Sequence, residues 1–198
     1  DYESLDFLQG SSVCNLYAMG IYVEDESFGV LSTMQSLTEL YTGSEQKQFY
    51  EILPELTELR TLSLWGGNFG TDLTIVSKLV NLQNLFVNDE FVTSLSGIEN
   101  LQRLEVFCMD GTNATDISPL TKLPRLQVVR LQGVPIVEFA PLFSCHSLQE
   151  VAADSRQKEK IEHLRGIKEP PLIAAVVLLF FLKDRSDHQS TYCAPVHR

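Results

Sequence analysis

Leu-x-x-Leu opens the stretch Leu101–Leu126 and closes it, and the echo runs through most of the chain. With Leu101 as the head of a unit, the other heads are Met34, Leu56, Leu79, Leu123 and Cys145, and the steps from Met34 onward are 22, 23, 22, 22 and 22 residues. Three residues after each head stands a leucine without exception: Leu37, Leu59, Leu82, Leu104, Leu126 and Leu148. Six after come Leu40, Leu62, Leu85, Phe107, Val129 and Val151, and eight after come Thr42, Leu64, Val87, Met109, Leu131 and Ala153. Apolar residues two apart predict a short strand with one buried face. Only Thr42 breaks that column.

Later in each unit the apolar spacing changes to three, as in Leu95 and Ile98, Ile117 and Leu120, Phe139 and Leu142, and Ile161 and Leu164. That spacing predicts a turn of α- or 3₁₀-helix. In Asp116-Ile117-Ser118-Pro119-Leu120, Ser118 is the expected cap and Pro119 the first helical residue, where its missing N–H costs nothing. Ser96-Gly97 and Ala140-Pro141 hold the same places. A looser unit precedes these, with Val13 as head and Leu16, Met19, Ile21 and Leu31 following, and Leu5 with Leu8 reads as the remnant of another. About seven units result.

A strand plus a helical return every 20 to 29 residues is the pattern of a solenoid whose units bury their apolar faces only on one another. An ordinary α/β domain with accidental leucine spacing would not hold one register over six units. The sequence resembles the leucine-rich-repeat family over roughly residues 13–167, and the 22-residue step with Ile117-Ser118-Pro119-Leu120 is similar to the short subclass found in bacterial internalins and a phosphatase regulatory subunit. The resemblance implies an α/β solenoid, a right-handed superhelix with parallel β-strands on the concave face and short helical or 3₁₀ returns on the convex face. It is specific for fold and not for activity. The family's asparagine after the strand is missing here; Gly67-Asn68 and Thr112-Asn113 stand nearby, so irregular turns are expected.

The expected organisation is an N-terminal cap or partial repeat over 1–12, repeats over 13–167, an apolar C-terminal cap over 168–182 and a flexible tail over 183–198. Pro170-Pro171 interrupts the repeats, and Leu172–Leu182 is an uninterrupted apolar run of eleven residues, short of the roughly 20 that span a membrane. A strand or helix laid on the open end of the solenoid is the preferred reading of that run, with a membrane anchor or partner surface as the alternatives.

Residues five, seven and nine after each head face away from the core, because successive side chains on a strand alternate. Across the units they are Ala18, Glu39, Thr61, Asn84, Val106, Val128 and Glu150; then Gly20, Tyr41, Ser63, Phe86, Cys108, Arg130 and Ala152; then Tyr22, Gly43, Trp65, Asn88, Asp110, Gln132 and Asp154. Tyr22, Tyr41, Trp65 and Phe86 fall on four successive strands and form a candidate interface patch, since aromatic anchors bury large area at low entropic cost. The alternative is that the rings pack only on one another. Asn88, Asp110, Arg130, Gln132, Glu150 and Asp154 are the polar candidates beside them, with Arg130 the lone cation and the acids placed to meet a partner's Lys or Arg.

The 26 acidic against 15 basic residues give a net charge of −11, which disfavours nucleic acid and anionic lipid and favours a protein partner with a basic surface. Cys14, Cys108, Cys145 and Cys193 have no close spacing, which argues against a zinc ribbon or disulfide framework and favours a reducing, cytoplasmic setting over secretion or the cell surface. The first residue is Asp1, as in a fragment or a processed product. Cys108 with His146 or His163 does not share one rim in the repeat register, so no catalytic site is expected, and Cys145 reads as core. His188, Cys193 and His197 are too sparse a set for a metal, Asn113-Ala114-Thr115 reads as a turn, and no cofactor or small-molecule substrate is expected. The expected function is a non-enzymatic protein-binding module using the concave face; the alternative is a C-terminally tethered surface adhesion protein of internalin type.

Overall fold

The computed structural model describes residues 4–19, 25–43, 46–67, 69–157 and 161, and the backbone of 177–181. The period-two segments become strands of five residues: β1 (Asn15–Met19), β2 (Glu39–Gly43), β3 (Thr61–Trp65), β4 (Asn84–Asn88), β5 (Val106–Asp110), β6 (Val128–Gln132), β7 (Glu150–Asp154) and β8 (Val177–Phe181). They form one parallel sheet in chain order. Equivalent positions pair throughout, so that Leu62 lies beside Leu85, Leu85 beside Phe107 and Phe107 beside Val129.

The register is locked where each strand begins. The carbonyl of Thr38 accepts the N–H groups of both Arg60 and Thr61, and the same fork recurs at Arg60, Gln83, Glu105 and Gln127. A parallel ladder needs its partner brought round by a crossover. Here the crossover is short: 3₁₀ turns at Thr74–Val76, Ile98–Asn100, Ser118–Lys122 and Ala140–Ser144, and two short helices, α1 (Gly29–Ser32) and α2 (Lys47–Ile52), in the earlier coils. Coils of 22 or 23 residues leave room for a single tight turn on the return side.

Leu59, Leu82, Leu104, Leu126 and Leu148 are all buried in one continuous core, together with every head from Met34 to Cys145 and the apolar columns six and eight. Thr42 is buried as well, so the one polar residue in the column still faces inward. Leu5 and Leu8 join this core at one end, and at the other β8 pairs along the outer edge of β7. Ile161 is buried; Leu164, His163, residues 162–176 and the tail 182–198 lie outside the described residues.

Three features differ from the sequence expectation. First, Asn15 pairs with Glu39 and Tyr17 with Tyr41, so the first unit is shifted by three residues and Val13 occupies the leucine column instead of the head. Ala18 therefore faces with Thr42. The head is Gly10, at φ +71°, and Leu5 and Leu8 supply the apolar bulk that a head would have brought. Second, Ser118 does not cap its turn. Asp116 does, its carboxylate accepting the Ser118 N–H at 2.8 Å and the Ser118 hydroxyl at 2.8 Å. Asp72, Ser94 and Glu138 accept the amide two residues ahead at the same point of their own coils.

Third, the turns after β3, β5 and β6 share one form built on glycine instead of asparagine. Gly66, Gly111 and Gly133, each ten residues after a head, have φ of +56°, +63° and +61°, a conformation that glycine alone adopts freely. Gly66 and Gly111 donate their N–H to the carbonyls of Asn88 and Gln132 on the next coil, and Gly133 donates to the Asp154 carboxylate. Gly97 answers a different demand: a Cβ there would stand 2.6 Å from the Leu73 carbonyl oxygen, so neighbouring coils touch through its missing side chain.

Candidate functional site

Because the core takes columns six and eight, columns five, seven and nine form the opposite, concave face of the sheet. Alternation dictates that much; crowding decides how much of each side chain remains exposed. Parallel strands stand about 4.8 Å apart, and residues of one column follow at that spacing. The middle column is accordingly closed: Ser63, Phe86, Cys108 and Ala152 are buried, and Tyr41 is 9% exposed. The expectation of three open columns is thus corrected, since Tyr41 and Phe86 bury most of their surface against neighbouring side chains.

The exceptions are Arg130, partly exposed on β6, and the edge. Tyr17, on the first described strand, is 63% exposed and stacks on Tyr41 with centroids 4.3 Å apart and planes 4° from parallel. Trp65 is half-buried on β3, with its indole Nε1 donating to the Ser63 hydroxyl at 2.8 Å, so the ring folds back over the small residue of the middle column. Tyr17 holds the place beside Tyr41 that the sequence assigns to Gly20; Tyr22, assigned to the outer column as the aromatic of the first strand, lies outside the described residues. Sequence reading missed Tyr17 because the first unit was framed three residues late. The signal was the pair Val13 and Leu16 in the leucine and strand columns.

Burial pushes the Tyr41 phenol well above its ordinary pKa, and the nearby Glu39 carboxylate and Tyr17 add to the shift. The Tyr41 hydroxyl oxygen is buried, and the hydrogen-bonding groups beside it among the described residues are those of Glu39 and Tyr17. Glu39 is half-buried at the start of the same strand, and its column neighbours on either side are Asn15 and Thr61.

The polar half of the face is arranged differently. Arg130 donates from Nε and Nη2 to Glu150 Oε1, both at 3.1 Å. Asp154 is only 5% exposed; its Oδ2 accepts the Gly133 N–H at 2.9 Å and lies 3.6 Å from Arg156 Nη2. Asn88 and Gln132 are half-buried and their carbonyls receive the glycine turns, while Asp110 stands close over Gly133, its Oδ1 3.3 Å from where a Cβ would be. These residues lie on neighbouring strands, as the register required, but the charges of Arg130, Glu150 and Asp154 are engaged within the protein.

Cys108 is buried in the middle of β5, whereas His146 is exposed on the coil leading into β7, and His163 lies outside the described residues. Burial pushes the Cys145 thiol up to about 11, and its Sγ–H points at the Leu120 carbonyl at 3.6 Å. His188, Cys193 and His197 are outside the described residues, and no group of three metal-ligating side chains occurs among those described. Asn113 of the Asn-Ala-Thr triplet donates its side-chain amide to the Glu90 carbonyl at 2.7 Å, a turn contact between coils.

No protein-family model matches the chain, and no curated protein matches its sequence. Solved structures do. An internalin C2 from Listeria monocytogenes aligns with 63% of this chain and 54% of its own at 26% identity and a TM-score of 0.51. A leucine-rich-repeat protein of Leptospira interrogans aligns with 62% of this chain and 32% of its own at 15% identity and a TM-score of 0.50. This chain has the leucine-rich-repeat fold. It spans about half the length of the internalin and about a third of the Leptospira protein. As a leucine-rich-repeat solenoid it offers a continuous parallel sheet suited to protein binding.

Proposed function

We propose that this leucine-rich-repeat protein is a non-enzymatic binding module that grips another protein on the concave face, at the N-terminal end of the sheet. The observation that carries the reading is Tyr17, an aromatic ring 63% exposed yet held flat on Tyr41 by a rigid sheet. An aromatic side chain ordered before binding loses little entropy on contact and buries large area. Trp65 extends the surface, buried Tyr41 and Phe86 support it, and Asn88, Asp110 and Gln132 form a polar margin. Arg130, Glu150 and Asp154 enter as structural elements, because a partner would have to break their internal contacts to use them.

The test is partner capture with the wild-type chain and with Tyr17→Ala and Trp65→Ala, both at positions that leave the core untouched. Loss of a captured protein from both variants, with thermal stability retained, supports the reading. Capture unchanged in both overturns it.

The similarity to an internalin supports a second reading, a surface adhesion protein tethered at its C-terminus. Against a tether through the apolar run, Val177–Phe181 is paired with β7 in the sheet, and among the described residues no helix is long and apolar enough to cross a membrane. Cell fractionation separates the two: full-length protein in the soluble fraction sinks the tethered form.

A further inference from the structure

Among the described residues, the N-terminal end of the concave face holds acceptors without a cation. Lys47–Glu51, Arg130–Glu150 and Arg156–Asp154 are ion pairs of the described residues, and Glu39 takes part in none of them. Its carboxylate acts on the Tyr41 phenol together with Tyr17, whose ring lies 4.3 Å away and parallel. Two phenol oxygens and a carboxylate are thereby gathered at one spot. One of them, the Tyr41 oxygen, is buried and faces only Glu39 and Tyr17 among the described residues.

A carboxylate beside two phenols is short of hydrogen-bond donors, and a donor brought by a partner relieves that shortage. The group that would relieve it here must donate several hydrogen bonds, carry positive charge and tolerate aromatic neighbours. A guanidinium meets all three conditions: five N–H donors in a planar fork, a fixed charge, and weak hydration that favours contact with rings. A lysine ammonium supplies charge but not the planar fork. A carboxylate or phosphate would face Glu39 and a chain of net charge −11.

Resting on the concave-face reading, we propose that Glu39, Tyr41 and Tyr17 form a receiving site for an arginine side chain of the partner protein. Glu39 accepts from the guanidinium, the exposed Tyr17 phenol oxygen accepts a remaining N–H, and the buried Tyr41 phenol donates its O–H toward Glu39 and holds that carboxylate in place. The C-terminal half of the same face shows the arrangement already realised within the chain, where Arg130 lies on Glu150.

The test titrates the full chain, with its tyrosine rings isotopically labelled, against the tripeptide acetyl-Gly-Arg-Gly-amide, following the Tyr17 and Tyr41 ring resonances. A saturable shift is expected, at least fivefold weaker in Glu39→Gln and for the uncharged citrulline tripeptide. The citrulline arm needs no altered protein, so misfolding of the variant cannot mimic the result. Absence of a saturable shift, or equal binding by the citrulline peptide or by Glu39→Gln, overturns the site. Equal binding by the lysine tripeptide overturns the choice of guanidinium, and tighter binding by a tryptophan tripeptide marks the patch as apolar instead. Failure here with partner capture still lost in Tyr17→Ala leaves the concave-face reading standing; capture that survives both Tyr17→Ala and Trp65→Ala removes that reading whatever the tripeptide does.

Discussion

The two ends of the concave face are built on identical backbone and differ in what their side chains have left to offer. At the C-terminal end Arg130 is engaged with Glu150, and the Asp154 carboxylate accepts a glycine turn. At the N-terminal end Tyr17 projects over the buried Tyr41, beside Glu39, which has no ion-pair partner among the described residues. The register that positions both ends is the same, so the difference is one of side-chain accounting: polar groups satisfied within the fold hold the coils together, and those left over are available to a partner.

The comparison can be broken or sharpened in order of expected effect. Phe86→Ala removes a ring 6% exposed in the middle of the face, and chemical denaturation should register a loss of about 3–5 kcal/mol. A much smaller loss would mean that the ring is a free anchor and that the middle column is more open than described. Asp154→Ala strips the acceptor from the Gly133 N–H and should cost about 1–3 kcal/mol, largely restored by Asp154→Asn, whose carbonyl oxygen still accepts. A full-sized loss in the asparagine variant would point instead to the charge pairing with Arg156.

Next comes the Arg130–Glu150 pair, about a quarter exposed on each side, for which a double-mutant cycle with Arg130→Gln and Glu150→Gln should return a coupling of about 1 kcal/mol or less. Coupling near zero would place that pair among the groups free to meet a partner. Tyr17→Ala should change stability by no more than about 0.5 kcal/mol because the ring is mostly in solvent. At neutral pH Tyr41 contributes no titration at all. Its raised phenol pKa means that, above the unfolded value of about 10, the unfolded chain releases a proton the folded chain keeps, so stability falls as pH rises through that range. Ultraviolet titration should find Tyr41 protonated until the protein unfolds, seen as absorbance that the Tyr41→Phe variant lacks, and that variant should flatten the alkaline fall.

Much of the scaffold was legible because a solenoid writes its core as a linear repeat. Leu59 through Leu148 sit where the 22-residue step put them, and the strand boundaries follow from the period-two columns. The first unit was misread for a physical reason: Gly10 stands where an apolar head belongs, and the hydrogen bonds from Thr38 and Glu39 to the Cys14 carbonyl fix the register instead. The Asp116 cap is repeated by Asp72, Ser94 and Glu138, but Ser118 beside Pro119 carries an equally suitable capping oxygen, and only the folded turn decides between the two.

The candidate site was legible only in part. Alternation assigned Tyr41, Trp65, Phe86, Asn88, Asp110, Arg130, Gln132 and Asp154 to one face, but it carries no information on depth. Depth depends on the size of the side chain on the adjacent coil, as when the small Ser63 lets Trp65 fold back.

By itself the sequence determined the repeat length, the parallel order of the strands and which side chains face inward, because each of these is a local periodicity repeated until only one stacking buries it. The tertiary structure alone decided which outward residues remain exposed and which charges are already paired. Those properties belong to contacts between residues twenty or more positions apart, and such contacts exist only once the coils are stacked.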